Sequence, residues 1–150
     1  MSVKLGMKAK LYVAESAAAG ITAFTEELAN VRDVTLNLSA DEADVTTREN
    51  DGWHQTLPTL KNCDVTFEMP NDTTKPGYKK IREAWLNNKT VGLCVLSGAK
   101  DDAEAEGVIA DFGITDFSRG EPLADAQSIS VTAKIYKFKE WYIAPGGTTP

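Results

Sequence analysis

The feature that most constrains this chain is a two-residue period that keeps returning along it. Val34, Leu36, Leu38 and Ala40 alternate with Thr35, Asn37 and Ser39. This is the pattern of an extended strand with one buried face, because successive side chains of a strand point to opposite sides. The same alternation returns at Val65, Phe67 and Met69 against Asp64, Thr66 and Glu68, and at Ile129, Val131, Ala133 and Ile135 against Ser128, Ser130, Thr132 and Lys134. A weaker version runs through Ala110, Phe112 and Ile114. Val91–Leu96 is almost wholly apolar, as expected of a strand covered on both sides, and Lys8 to Val13 suits a first strand. Five or six strands separated by turn-rich segments predict a mainly β fold, an antiparallel β-sandwich or barrel with long inter-strand loops.

One segment has a helical period. Tyr78, Ile81 and Trp85 lie on one stripe between Pro76 and Asn88, with Lys79, Lys80, Arg82 and Glu83 outside it. Pro76 suits a first turn, Thr73 and Thr74 stand where caps are expected, and Asn87 and Asn88 can end a helix in the left-handed conformation. The prediction is one α-helix over about 76–88, flanking the sheets. Residues 15–30 are divided. Ile21, Phe24 and Leu28 have helical spacing, but Gly20, Thr22 and Thr25 weaken it. The stretch 144–150 lacks any period and reads as a flexible tail on a single β domain spanning 1–143.

Charge narrows the function. Sixteen Lys and Arg against 22 Asp and Glu leave a formal −6, which argues against a free-standing nucleic-acid binder with a basic face. No apolar run is long enough to span a bilayer as a helix, and the first residues have no apolar core or cleavage site of a secretory leader. Cys63 and Cys94 are too few for a disulfide framework and read as reduced thiols in or beside strands.

Catalytic groupings fail on inspection. His54 is the only histidine, and Ser97 in Leu-Ser-Gly lacks the first glycine of a nucleophile elbow. One histidine and two distant cysteines do not make a zinc site. Asp41, Glu42 and Asp44, followed by Asn50-Asp51-Gly52, miss the spacing of a calcium loop, because Glu49 precedes the glycine. The acidic run 101–106 reads as a solvated loop, and Gly146-Gly147 is too short to cradle a phosphate. No catalytic residue, metal site or cofactor is expected. A carbohydrate-binding sandwich would use Trp53, Trp85 and Trp141 as platforms, yet Trp85 falls on the helix stripe and Trp141 ends a strand beside Tyr142, where packing is the default.

The order of several segments carries a resemblance. Asn30-Val-Arg-Asp-Val-Thr-Leu-Asn-Leu-Ser39, Asp44-Val-Thr-Thr-Arg48, Asp51-Gly-Trp53, Leu57-Pro-Thr-Leu60 and Asp64-Val-Thr-Phe67 resemble, in that order, the major tail tube proteins of tailed bacteriophages. Glu106–Thr115 followed by Asp125–Ala133 resembles the closing strand pair of that family. The likeness covers most of residues 8–138. Thr59 stands where the family often has glycine after the proline, and Tyr136–Trp141 lacks the expected Ser-Gly ending, so the C-terminal extension is expected to make contacts of its own. The family's loop and extended segment before the Asn-Val-x-Asp strand also favour a non-helical 15–30.

The resemblance implies a non-catalytic virion protein, assembled in the bacterial host cytoplasm, whose hexameric rings stack into the tube that delivers the genome. Related tubes in phage-like particles or type VI secretion devices share the fold. Implied partners are further copies of the chain, the tail terminator, tape-measure and distal tail or baseplate proteins, and double-stranded DNA passing through the lumen; no membrane is involved. The long connection from Asp44 to Asn62 is expected to be mobile in the free subunit and ordered on stacking. Its Asp44, Thr46, Thr47, Arg48, Asn50, Asp51 and Gly52 would supply the inter-ring contact, with Trp53 as packing anchor. Six copies carry a formal −36, and an acidic lumen would let DNA slide without sticking. Asp33, Glu68, Asp111 and Asp116 are the candidate lumen carboxylates.

Overall fold

The computed structural model describes residues 5–28, 31–99 and 105–144. The elements are β1 (Lys10–Ala14), β2 (Glu26–Glu27), β3 (Thr35–Asp44), β4 (Thr56–Pro70), α1 (Pro76–Leu86), β5 (Thr90–Leu96), β6 (Glu106–Gly120) and β7 (Ser128–Ile143). They form one antiparallel sheet of order β2-β1-β5-β6-β7-β4-β3. The β6–β7 pairing shifts register at Ile109/Ala110, Asp111/Phe112 and Ile114/Asp116. Such bulges bend and twist a strand, and here the sheet curls enough for Leu11 and Val13 of β1 to share one core with Val65 and Phe67 of β4, four places away in the sheet. The result is the sandwich-like architecture expected from the period-2 segments.

Two cores hold the sheet. The larger joins Val91, Leu93 and Val95 of β5, Phe112 and Ile114 of β6, Ile129 and Val131 of β7 and the helix residues Tyr78 and Ile81. The smaller lies on the opposite face, where Tyr12, Cys94, Leu96 and Ile109 pack with Ala17 and Phe24. Strand β5 is therefore buried on both sides, as its unbroken apolar run predicted. Segment 15–25 is the cover of the smaller core. It is not an α-helix but a turn and a 3₁₀ helix over Gly20–Ala23, and it is tied down by Ala17 N–H donating to Asp111 Oδ1 at 2.7 Å.

The helix forms where its stripe was read, with corrections at both ends. Lys75 occupies the N-cap without a side-chain bond, because the Thr74 hydroxyl donates to Asp72 Oδ1 at 2.6 Å and so caps nothing. At the C-terminus Asn88 adopts φ 53°, and Lys89 N–H closes on Ala84 O at 2.9 Å while Asn88 N–H reaches Trp85 O at 3.4 Å. This is a Schellman closure made with asparagine instead of glycine. The face that meets the sheet is Gly77, Tyr78, Ile81 and Ala84. Trp85 lies at its margin and stays 41% exposed, because small residues allow the closer approach to the sheet.

The connection from Asp44 to Asn62 is shorter than the sequence suggested. β4 already begins at Thr56 and pairs with β3 down to Asp44↔Thr56, so Leu57–Leu60 is strand and not part of the connection. Pro58 and Lys61 disguise it by breaking the apolar alternation. Proline is tolerated there because, among the described residues, this end of β4 pairs with β3 alone, its pairing with β7 running from Asp64 to Pro70. At the other end of the chain, Ala144 is buried and its N–H bonds Ala105 O at 2.8 Å; the predicted tail beyond it, and residues 101–104 of the acidic run, lie outside the described residues.

Candidate functional site

The β3–β4 hairpin extends beyond the core. β4 separates from β7 past Asp64↔Lys134, and every residue from Asp51 to Asn62 is exposed. Its tip is built locally. Val45 N–H bonds Gln55 O at 2.9 Å, and the Thr46 hydroxyl accepts from Gln55 N–H at 2.8 Å while donating to Asp44 Oδ1 at 2.5 Å. Thr46 N–H also donates to Asp44 at 2.9 Å. Arg48–Asn50 makes one 3₁₀ turn, Asn50 Nδ2 donates to Trp53 O at 3.2 Å, and Asp51 and Gly52 reverse the chain with φ 50° and 80°. Asp and Gly are the residue types that tolerate this left-handed backbone.

These bonds give the predicted contact residues distinct parts. Asp44, Thr46, Asn50, Asp51 and Gly52 shape the tip. Thr47, Arg48 and Trp53 face outward, and Trp53 is 75% exposed. The Thr46 hydroxyl holds the Asp44 carboxyl below its ordinary pKa, helped by the Thr46 N–H. A lowered folded-state pKa stabilises the tip above the ordinary carboxylate range and loses that contribution as pH falls through the lowered value. Thr46→Val is expected to raise the Asp44 pKa toward its ordinary value and loosen the tip, read by NMR titration of the Asp44 carboxyl. An unchanged titration would mean that the Thr46 hydroxyl does not set it.

The candidate lumen carboxylates divide likewise. Cross-strand partners project to the same side of a sheet. Asn37, Asp64 and Lys134 are in register, as are Thr35, Thr66, Thr132 and Asp116, and Glu68, Ser130 and Ser118. Glu68 and Asp116 thus share one continuous polar face, which also contains Asp64. Asp111 is occupied by the 15–25 cover through Ala17. Asp33 is exposed just ahead of β3, at the rim of a groove of about 520 Å³ that also touches Lys10 and Glu27.

Sequence reasoning missed a second feature. Where the hairpin leaves β7, a groove of about 680 Å³ opens, lined by Leu38, Ala40, Cys63, Ile135, Phe138 and Trp141. Leu38 and Phe138 are each 55% exposed. The alternation of β3 does carry this signal, since Leu38 and Ala40 continue an apolar face beyond the point where the described residues cover it. Burial pushes the Cys63 thiol at the groove floor up to about 11. Trp141 is fixed at the groove wall by donating from Nε1 to Glu106 Oε1 at 2.9 Å. Among the described residues no cluster of His, Cys, Asp or Glu could hold a metal ion, and no helix is long and apolar enough to cross a membrane.

A curled antiparallel sheet with one helix and a projecting hairpin can be compared with known proteins. The family model described as phage tail tube protein matches residues 6–136. The chain belongs to that family. Similar solved structures agree on the fold. The tail of an empty gene transfer agent particle, with C6 symmetry, superposes with TM-score 0.75 at 14% identity over 95% of this chain and 100% of that one. The virion of a native gene transfer agent gives 0.74 at 14% over the same shares. The SPP1 tail tube gives 0.69 at 13%, over 94% of this chain and 81% of that one. Curated proteins yield no match. This tail tube protein is a structural component of a virion tail, and the groove and hairpin are surfaces that its described residues leave uncovered.

Proposed function

We propose that six copies of this chain close into a ring and that the rings stack into a tube through which double-stranded DNA passes. The carrying observation is the β3–β4 hairpin of a tail tube protein, which leaves its own core and presents Trp53 at 75% exposure. Exposed large aromatics in contiguous surface mark contact sites, and ring and stack contacts both need surfaces that differ between partners. In this reading Trp53, Thr47 and Arg48 make the inter-ring contact, on a tip shaped by Asp44, Thr46, Asn50, Asp51 and Gly52, and the tip orders fully on stacking. The polar face with Asp64, Glu68 and Asp116, joined by Asp33, forms the lumen wall. Its carboxylates repel phosphate and keep DNA sliding. The tail terminator, tape-measure and distal tail or baseplate proteins meet the ends and interior of the tube, and the subunit performs no catalysis.

The similar gene transfer agent tails support a second setting, in which the tube belongs to a phage-like particle. Electron microscopy of the concentrated protein tests the assembly itself. Stacked six-fold rings with an open channel are expected. A persistent monomer that shifts on adding glycans would overturn the reading in favour of a carbohydrate-binding sandwich, and an inner wall of net positive potential would overturn the lumen assignment.

A further inference from the structure

The charges of this acidic chain are segregated. Residues 41–61 hold five carboxylates (Asp41, Glu42, Asp44, Glu49 and Asp51) against Arg48 and Lys61, a net −3. Residues 75–89 hold five cations (Lys75, Lys79, Lys80, Arg82 and Lys89) against Glu83, a net +4 in a chain of −6. Arg82 is engaged within its own segment, pairing with Glu83 at 3.3 Å and lying 5.7 Å over the Tyr78 ring. Lys75, Lys79, Lys80 and Lys89 form no ion pair among the described residues. Both segments also carry exposed apolar side chains, Trp53 on the hairpin and Trp85 (41%) with Leu86 (64%) on the helix.

The two segments sit toward opposite ends of β4. The helix is level with Phe67, since Tyr78 packs on Phe117 at 6.1 Å between ring centroids and Phe117 and Phe67 are both in register with Val131. The tip end of β4 at Thr56 is eleven residues away along the strand, roughly 36 Å at about 3.3 Å per residue. Glu42, Asp44, Glu49 and Asp51 of the acidic segment therefore lie nine or more residues along β4 from the level of the helix, too far to pair with its cations. Two copies placed head to tail along β4 bring them together.

We propose that the acidic hairpin of one subunit seats on the basic face of α1 in a second copy of the chain, in the next ring, with Trp53 set against Trp85 and Leu86. This rests on the tube reading and names the surface that receives the hairpin. The apolar centre supplies holding energy, and the complementary charges guide encounter and reject the like-charged pairing of hairpin with hairpin.

Zero-length carbodiimide coupling of wild-type assemblies is the first test. Peptides joining Glu42, Glu49 or Asp51 to Lys75, Lys79, Lys80 or Lys89 are expected, and they must be intermolecular. Their absence from assembled tubes overturns the proposal. The second test pairs Lys79→Glu/Lys89→Glu with Glu42→Lys/Glu49→Lys. Each pair alone is expected to leave folded subunits and rings by circular dichroism and electron microscopy, while raising the concentration needed for stacking at least tenfold. Combining all four restores stacking. Normal stacking of either reversed pair overturns this contact and leaves the tube reading intact. Failure of the wild-type protein to form rings or tubes at any concentration overturns both.

Discussion

Trp53→Ala is expected to yield a folded, soluble subunit that no longer stacks. The indole is 75% exposed, and among the described residues the hydrogen bonds linking the residue to its neighbours run through its backbone, from Trp53 N–H to Asn50 O at 2.9 Å and from Asn50 Nδ2 to Trp53 O. Truncation keeps both bonds and exposes no core, so thermal stability should change by no more than about 0.5 kcal/mol, as for other surface substitutions. An interface is different. A buried tryptophan anchor is commonly worth about 2 kcal/mol or more on truncation, roughly a 30-fold loss in each contact, and the proposed ring of six would repeat that loss around its circumference. Sedimentation and electron microscopy on a protein with an unchanged melt would carry the result. A large fall in melting temperature would instead assign Trp53 to the subunit's own stability.

Gly107→Ala should have the opposite profile and act on the fold. Gly107 is buried between β5 and β7, and a Cβ there would overlap the Val95 carbonyl and stand 3.0 Å from Leu96 Cα. These are backbone atoms of a paired strand, which no rotamer change can move. Overpacking of this kind costs about 3 kcal/mol or more, lowering the melting temperature by roughly 6–12 °C in a domain of this size. Gly113 in the same strand is the control, because a Cβ there meets nothing within 4 Å. Gly113→Ala is expected to be neutral or stabilising by up to about 1 kcal/mol. Calorimetry of the two variants checks the pair, and equal melts would mean that β5 and β6 can separate at Gly107 at little cost.

The contrast between these variants follows what was legible in the chain. Alternation located the strands because, for β4, β5 and β7, burial on one or both faces decides which side chains are apolar. The same signal misled at Leu57–Leu60, where a strand outside the core has no buried face to advertise and carries Pro58 and Lys61 instead. Leu38 and Ala40 show the converse, an apolar face that the described residues leave uncovered. Helical spacing found α1 but ranked Trp85 with the buried stripe, since periodicity does not register that Gly77 and Ala84 let the helix come closer. Local periodicity left segment 15–25 divided because its partner is Asp111, 94 residues away, and no local pattern announces such a bond; the resemblance alone favoured the non-helical form it takes. At the candidate site, the residue types of the hairpin were visible, but the division of labour between Thr46, which closes the tip, and Trp53, which faces out of it, depends on hydrogen bonds across the turn.

The position of hairpin and helix toward opposite ends of β4 has a consequence for growth. A subunit whose two joining surfaces differ adds to an existing array in one orientation only, so the array has distinguishable ends. Contacts of this heterologous kind also have no natural stopping point along the stack. Nothing in the repeating geometry counts how many layers have been laid down. Length is then a quantity the polymer cannot measure for itself, and a filament grown from this chain alone should show a broad spread of lengths, whereas a uniform one must be timed or gauged by another molecule.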